Sequence, residues 1–250
     1  MTRTFRRAAV AALAATAPAG TALIGSALIG PASAAPRHTA AQPVPAFDFA
    51  DCPALPAGAD PAQWRCEVLM SSGTIRIGDL REQGTGAMRL TFAEGRVDGR
   101  YAQVFGALRA EPTPVPGGLL GVAAHHPSLR ADLHVEYAAF ADFLSDGDRM
   151  GVQHLKLRVL NGLLPETCAI GDDSDPLVFR PVRTSGPDRV SADPPVLRFT
   201  IEDDAFAVPA ARGCGPLDRL VDKRFGLPSP AGANSMELTT LVGLKSYTGI

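Results

Sequence analysis

Short segments in which apolar and polar residues alternate recur along the chain from residue 64 onward. Such alternation places every second side chain on one face, which is typical of a β-strand with one face in the core. Clusters of glycine, proline, serine and aspartate separate the segments, as turns between strands require. Clear alternation covers residues 64–69, 88–93, 133–137, 155–159 and 197–201, and further strands are predicted at 74–77, 101–108, 119–123, 168–170, 177–179 and 236–244.

Two local patterns add a hairpin and a helix to these strands. Ser71-Ser72-Gly73 predicts a turn, after which residues 74–77 would return beside the first strand as a β-hairpin. In residues 216–225, Pro216 lies in the first turn and apolar residues recur at helical spacing. Gly226 follows, and glycine is the residue best suited to end a helix.

The many short strands predict an all-β fold, because strands separated by short turns pair antiparallel in one sheet or two. We expect a single antiparallel β-sandwich or barrel-like domain, with one short helix near residues 216–225. This disulfide-bonded domain would cover residues 49–250. Residues 35–48 are rich in proline and alanine and are interpreted as a flexible spacer.

The first 34 residues have the layout of a secretory signal peptide. A positive start with three arginines precedes an apolar stretch at residues 8–30, and Ala32-Ser33-Ala34 fits cleavage after Ala34. The stretch is long enough to span a bilayer, but its Ala/Gly composition and Pro18 favour cleavage over anchoring. We therefore expect a secreted protein, extracellular or associated with the cell envelope.

The charge of the predicted mature chain argues against nucleic acid as a partner. Removing the three arginines of the signal peptide from the 24 basic residues leaves 21, against 26 acidic residues, a net charge of −5. Phosphate binding requires a basic face with many lysine and arginine contacts. No later apolar run reaches the length of a membrane span, so the mature chain is expected to have no transmembrane segment.

All four cysteines, Cys52, Cys66, Cys168 and Cys214, follow the predicted cleavage site. An even number of cysteines in an exported chain is typical of disulfide bonds. Three pairings can form, and sequence proximity favours Cys52 with Cys66, which leaves Cys168 with Cys214. A zinc site is the alternative, which export and the lack of a Cys-x-x-Cys spacing disfavour.

Two segments between residues 161 and 234 resemble a pattern that recurs in exported actinobacterial proteins. The matching residues are Asn161, Leu163, Leu164, Cys168, Ile170, Gly171, Asp175, Pro176 and Leu177 in the first segment, and Phe206, Val208, Pro209, Gly213, Cys214, Gly215, residues 227–232 and Asn234 in the second. The family that they resemble consists of uncharacterised secreted proteins. The resemblance implies export and a Cys168–Cys214 pair, and it implies no activity.

Asp172, Asp173 and Asp175 form the most prominent acidic cluster. Three carboxylates in a short loop could hold Ca²⁺, which prefers several hard oxygen ligands. Their spacing differs from that of an EF-hand loop, and its final bidentate glutamate is missing. A solvated turn, in which Asp172 or Ser174 bonds the neighbouring backbone, is therefore favoured, and no metal or cofactor is expected.

His134 and Glu136 are the candidates for acid–base chemistry. They lie two residues apart in an alternating strand and so share a face, where they could act as a couple in a cleft. Such a pair is more often the solvent side of a half-buried strand. His125 and His126 are adjacent, and neighbouring side chains of a strand point to opposite faces, which disfavours shared metal binding.

The remaining polar and aromatic candidates have structural explanations. Glu202, Asp203 and Asp204 could supply glycosidase carboxylates, but no partner is placed opposite them, so a charged strand end is favoured. Trp64 lies beside Cys66 and is more simply a core residue than a platform for carbohydrate. No Gly-x-Ser-x-Gly, Ser-x-x-Lys or His-Glu-x-x-His motif occurs in the chain.

These patterns favour an exported, non-enzymatic β domain with a binding or structural role, and no catalytic residue is assigned. Its partner is unidentified, and a component of the cell envelope is the expected class. The alternative is a secreted hydrolase with a dispersed site around His134 and Glu136.

Overall fold

A computed structural model of the protein describes residues 44–122 and 126–249. The predicted signal peptide, residues 35–43 of the predicted spacer and His125 lie outside these described residues. The strands, numbered in chain order, are β1 (Arg65–Arg76), β2 (Gln83–Gly84), β3 (Met88–Val97), β4 (Arg100–Ala110), β5 (Thr113–Pro114), β6 (Asp132–Asp142), β7 (Val152–Leu160), β8 (Ala169–Ile170), β9 (Leu177–Phe179), β10 (Val182–Ala192), β11 (Pro195–Asp203), β12 (Ala211–Arg212) and β13 (Ser235–Ser246), and the α-helix is α1 (Asp218–Phe225).

The strands form two antiparallel sheets that pack face to face. The first sheet has seven strands in the order β10-β11-β13-β1-β3-β4, with β2 beside β1. The second has six in the order β12-β8-β7-β6-β5, with β9 beside β7. The main core includes Leu157 from the second sheet and Ile201 and Leu238 from the first. The predicted all-β antiparallel fold is confirmed as a sandwich, and within the described residues neither sheet closes into a barrel.

The hairpin predicted at residues 71–73 is wrong. Strand β1 continues through these residues and pairs with β13 in unbroken register from Arg65 opposite Ser246 to Arg76 opposite Ser235. At Gly73 the backbone of β13 is so close that a Cβ atom would overlap it. The glycine therefore permits close approach of two strands instead of forming a turn.

The strand predicted at residues 119–123 is wrong over its described part. Gly118–Leu120 form a short 3-10 helix, and Gly117 and Gly121 flank it in the left-handed conformation. Leu119 is nevertheless buried. The apolar run thus predicts burial correctly, but it does not determine the secondary structure.

The helix predicted at residues 216–225 is confirmed. Helix α1 covers Asp218–Phe225 and is capped by Gly226, whose φ of 69° is in the left-handed region. Val221 and Phe225 are fully buried on the face that meets the core. A short 3-10 helix at Gly215–Leu217 joins the half-cystine Cys214 to α1. The Asp218 carboxylate of α1 accepts a hydrogen bond from the Cys214 backbone N–H at 2.7 Å, which holds Cys214 in place.

Residues 47–53 cross the outer face of the first sheet, and we call them the N-terminal strap. A Cβ at Gly243 of β13 would lie 2.5 Å from the Phe47 ring, so the ring rests on that glycine. The Cys52–Cys66 disulfide joins the strap to β1. Phe47 and Asp48 thus contact the sheet, although the sequence places them in the spacer.

Asp51 ties the strap to the far strands of the first sheet. Its carboxylate accepts two hydrogen bonds of 2.6 Å from Arg109 in β4 and one of 3.1 Å from Arg89 in β3. The Arg109 hydrogen bonds, opposed by burial and aided by both guanidinium charges, hold the pKa of Asp51 below its usual range. The strap therefore covers part of the outer face of the first sheet, and β1 is buried on both sides around Cys66 and Val68.

Asn234, part of the C-terminal motif, joins three loops through its buried side chain. Its Oδ1 accepts a hydrogen bond of 2.9 Å from the Gly78 backbone N–H. Its Nδ2 donates to the carbonyls of Phe206 at 2.9 Å and Pro230 at 3.0 Å. No part of Asn234 is exposed, so water cannot replace these partners.

We expect Asn234→Ala to lower the free energy of unfolding by about 2 kcal/mol, because it leaves buried backbone groups without partners. Urea denaturation of both proteins measures the change. Asn161→Ala is the matched control, since the Asn161 amide also bonds two carbonyls but lies nearer solvent. An Asn234→Ala cost no larger than that of the control would contradict the structural role.

Candidate functional site

Both predicted disulfides are confirmed. Cys52 bonds Cys66, and Cys168 bonds Cys214, with sequence separations of 14 and 46 residues. The part of the chain that the structure describes contains no free cysteine, so no thiol remains there for a zinc site. Disulfides of this kind are typical of an extracellular or otherwise oxidising environment.

The acidic loop forms a turn, as favoured from the sequence. Asp172 Oδ1 accepts hydrogen bonds from the backbone N–H groups of Ser174 and Asp175 and from the Ser174 hydroxyl, and these bonds hold the pKa of Asp172 low. Asp173 pairs with Lys156 at 2.8 Å, and Asp175 with Arg212 at 3.2 Å. Arg212 also pairs with Asp172 at 3.5 Å, so each of the three carboxylates has a basic side chain as its partner. Within residues 44–122 and 126–249 no three His, Cys, Asp or Glu side chains converge as metal ligands would.

His134 and Glu136 lie side by side, and both are engaged by structural partners. His134 Nδ1 is 3.4 Å from Glu136 Oε1, and His134 Nε2 lies 3.0 Å from the Ala110 carbonyl. Glu136 also binds Arg158 at 2.7 Å. Burial acts to raise the pKa of Glu136, but the Arg158 hydrogen bonds and charge outweigh it and leave that pKa lowered. A carboxylate held ionised by arginine is a weak base.

The other predicted candidates are also held by local contacts. Asp203 is buried and accepts hydrogen bonds from the backbone N–H groups of Arg180 at 2.6 Å and Ala205 at 2.9 Å. Trp64 is buried, and its indole N–H donates to the Arg96 carbonyl at 3.0 Å. His126 Nδ1 lies 2.6 Å from the Ser128 hydroxyl at the start of a short 3-10 helix.

A cleft of about 330 Å³ opens between the sheets, and no sequence pattern singled it out. One wall is the inner face of the first sheet, and the other is formed by residues 143–150 with Gln153 and Pro181. Its apolar lining consists largely of Leu69, Phe92, Phe143, Phe199, Ile201 and Val242. The Phe92 and Phe143 rings stack with centroids 4.2 Å apart, which fixes residue 143 against the sheet.

Four of the polar side chains that line the cleft form a connected group beside this apolar surface. Arg65 Nε donates to Glu67 Oε1 at 2.7 Å, and Arg65 Nη2 donates to Glu94 Oε1. The Tyr101 hydroxyl donates to Glu94 Oε2 at 2.5 Å, and Gln103 Nε2 donates to the Tyr101 oxygen. Arg65, Glu67, Glu94 and Tyr101 are referred to below as the Arg–Glu cluster.

Glu67 is the most perturbed carboxyl group of the cluster. Its side chain is 12% exposed. Burial, and then the nearby charge of Glu94, raise the pKa of Glu67 to about 7, against the opposing charge of Arg65. Burial also raises the pKa of Tyr101, and the hydrogen bond with Glu94 adds to this. The cleft thus contains a carboxyl group that changes charge near neutral pH.

A smaller apolar cavity of about 40 Å³ continues from the cleft into the core. Leu69, Gln153 and Ile201 line both spaces. The other residues around the smaller cavity include Leu90, Val135 and Leu238 and are mostly aliphatic. At the opposite end, the exposed side chains of Tyr101 and Leu144 border the cleft. Polarity therefore decreases from the opening toward the interior.

Sequence alternation missed this site because β1 has two buried faces. The pattern of Trp64, Cys66 and Val68 identifies the face that lies under the strap, and it leaves Glu67 on the presumed solvent side. Leu69 lies on the same face of β1 as Glu67. It is the one apolar residue in this pattern that indicates packing of this face against the core as well.

Comparisons with protein families, with curated proteins and with solved structures find no match to this chain. Among the residues that the structure describes, no helix has the length and apolarity required to cross a membrane.

Proposed function

We propose that this protein is an exported, non-enzymatic β domain that binds a small amphipathic molecule in the cleft between its sheets. The cleft is the observation that best supports this proposal. Its volume of about 330 Å³ falls in the range of small-molecule sites, and such sites combine mostly apolar walls with a few placed polar groups. Here the polar groups are those of the Arg–Glu cluster.

Export after cleavage near Ala34 belongs to the same proposal. The signal-like N-terminus, the two disulfides and the resemblance to secreted actinobacterial proteins all support it. An extracellular or envelope location would place the cleft within reach of envelope components, from which the ligand would come.

The side chains around the cleft support binding more than hydrolysis. Both carboxylates of the Arg–Glu cluster bond one guanidinium, and the described lining contains neither histidine nor cysteine. The alternative site at His134 and Glu136 gains no support, since Arg158 and the Ala110 carbonyl occupy its polar atoms.

Binding of the neutral fluorescent probe N-phenyl-1-naphthylamine tests the proposal. We expect its fluorescence to rise with the purified protein, because the probe leaves water for an apolar cleft. Met150→Trp should weaken this binding at least about tenfold, since Met150 lines the cleft and a larger ring would fill it.

Leu163→Trp is the matched control, because Leu163 is 56% exposed and is not among the cleft residues. Circular dichroism would verify that both variants fold. Absence of probe binding, or equal loss in the two variants, would overturn the proposed function.

A further inference from the structure

The charges of the Arg–Glu cluster do not balance when both carboxyl groups are ionised. Arg65 supplies one positive charge for Glu67 and Glu94. The groups that face them from other elements are the Tyr101 phenol on β4, the Ser145 hydroxyl and the Gln153 amide, none of which adds a cation. One negative charge then remains in a site where burial makes it costly.

A proton is one way to remove this charge. Glu67 and Glu94 both contact Arg65, and a proton on one of the two carboxyl groups leaves a single negative charge for that guanidinium. The second way is a cation from outside, which would enter through the opening beside Tyr101. The proton and the external cation neutralise the same pair of carboxylates, so they compete with each other.

The apolar part of the cleft indicates which chemical group should be attached to that cation. Beyond the carboxylates the lining becomes apolar through Leu69 and Ile201, and the smaller cavity extends it into the core. A hydrated metal ion would leave this surface unused. A molecule with a cationic head and an apolar body matches both parts.

We propose that the cleft selects amphipathic amines, with the ammonium group bound at the Glu67 and Glu94 carboxylates beside Arg65 and the apolar body along the Leu69 side. This assignment rests on the proposed function, because it requires the cleft to be a binding site. An anionic amphiphile would add a second uncompensated negative charge to the cluster, and a neutral one would leave the existing negative charge uncompensated.

Proton competition makes amine binding depend on pH. An ammonium displaces the proton from Glu67, so affinity rises as pH increases through the range in which Glu67 ionises. With the pKa of Glu67 at about 7, raised by burial and then by Glu94, the affinity should rise by up to roughly thirtyfold between about pH 5.5 and 8.5. Alkyl ammonium groups, like lysine, stay charged throughout this interval.

The test compares n-octylamine, n-octanol and octanoate by isothermal titration calorimetry at both pH values. These probes share one chain and differ in head group. We expect octylamine to bind at least about tenfold more tightly than octanol at the higher pH. Octanol should bind equally at both pH values, and octanoate should bind most weakly.

Glu67→Gln separates the head-group contact from the apolar contact. It should abolish the pH dependence and reduce the affinity for octylamine to that for octanol. Glu82→Gln removes the same charge from an exposed position and should change neither.

The outcomes distinguish the two proposals. Octanol binding without a Glu67-dependent preference for octylamine would overturn the amine assignment and leave the proposed function standing. Failure of both octanol and octylamine to bind would overturn the proposed function as well.

Discussion

We expect the double variant Cys168→Ala/Cys214→Ala to unfold with a free energy about 4 kcal/mol lower than the wild type. The disulfide closes a loop across a separation of 46 residues, and the entropy removed from the unfolded chain grows with loop length. Both half-cystines are fully buried in the main core, so the bond is shielded from solvent. Urea denaturation at pH 7 would measure the loss.

The second disulfide provides an internal comparison. Cys52→Ala/Cys66→Ala opens a loop across a separation of only 14 residues, for which the same entropy account gives about 3 kcal/mol. The Asp51 ion pairs would still hold part of the strap. A larger loss from this pair than from Cys168–Cys214 would show that strap contacts, rather than chain entropy, dominate.

Glu67→Gln should stabilise the protein at neutral pH by up to about 3 kcal/mol. Burial, and then the charge of Glu94, raise the pKa of Glu67 from 4.5 to about 7 in the folded protein. Below pH 4.5 both states hold the proton. Between these values the unfolded chain releases it while the folded protein keeps it, so stability falls as pH rises by roughly 1.4 kcal/mol per unit. Above pH 7 this contribution is constant.

Glutamine cannot ionise, and its amide can still bond Arg65 and Glu94, so the variant avoids this loss. Urea denaturation at pH 5, 6, 7 and 8 would reveal the advantage growing with pH. Glu82→Gln, at an exposed site, should show no such trend. A Glu67→Gln protein that is less stable than the wild type at pH 8, by as much as at pH 5, would rule out the raised pKa.

The fold class followed from the sequence because most strands have one face in the core and one near solvent. Strand β7, for example, buries Leu155, Leu157 and Val159 in strict alternation. Helix α1 was predicted with its end at Gly226, since helical spacing and glycine capping are local properties.

The errors occurred where long-range contacts decide the outcome. Ser71-Ser72-Gly73 has the composition of a turn, but pairing with β13 keeps it extended. Strand β10 was not predicted at all, because as an edge strand it is largely exposed and shows no alternation. Local patterns cannot encode which strand becomes a neighbour.

The candidate site was missed for a related reason. The sequence drew attention to Asp172, His134 and Glu136, whose charges are satisfied by cations and backbone at the surface. Glu67 and Glu94 belong to different strands, and only the β1–β3 pairing brings them to one guanidinium. A strap that buries the other face of β1 could not be inferred from alternation.

The irregular edge strand β10 also affects how copies of this protein meet one another. Its pairing with β11 shifts register at three places, and Pro187 lacks a backbone N–H to offer. Asp188 and Arg189 add charge along the same exposed stretch. A neighbouring chain therefore finds no straight row of free donors and acceptors on which to add a strand. At high concentration the protein would be protected from edge-to-edge aggregation at this side of the sandwich.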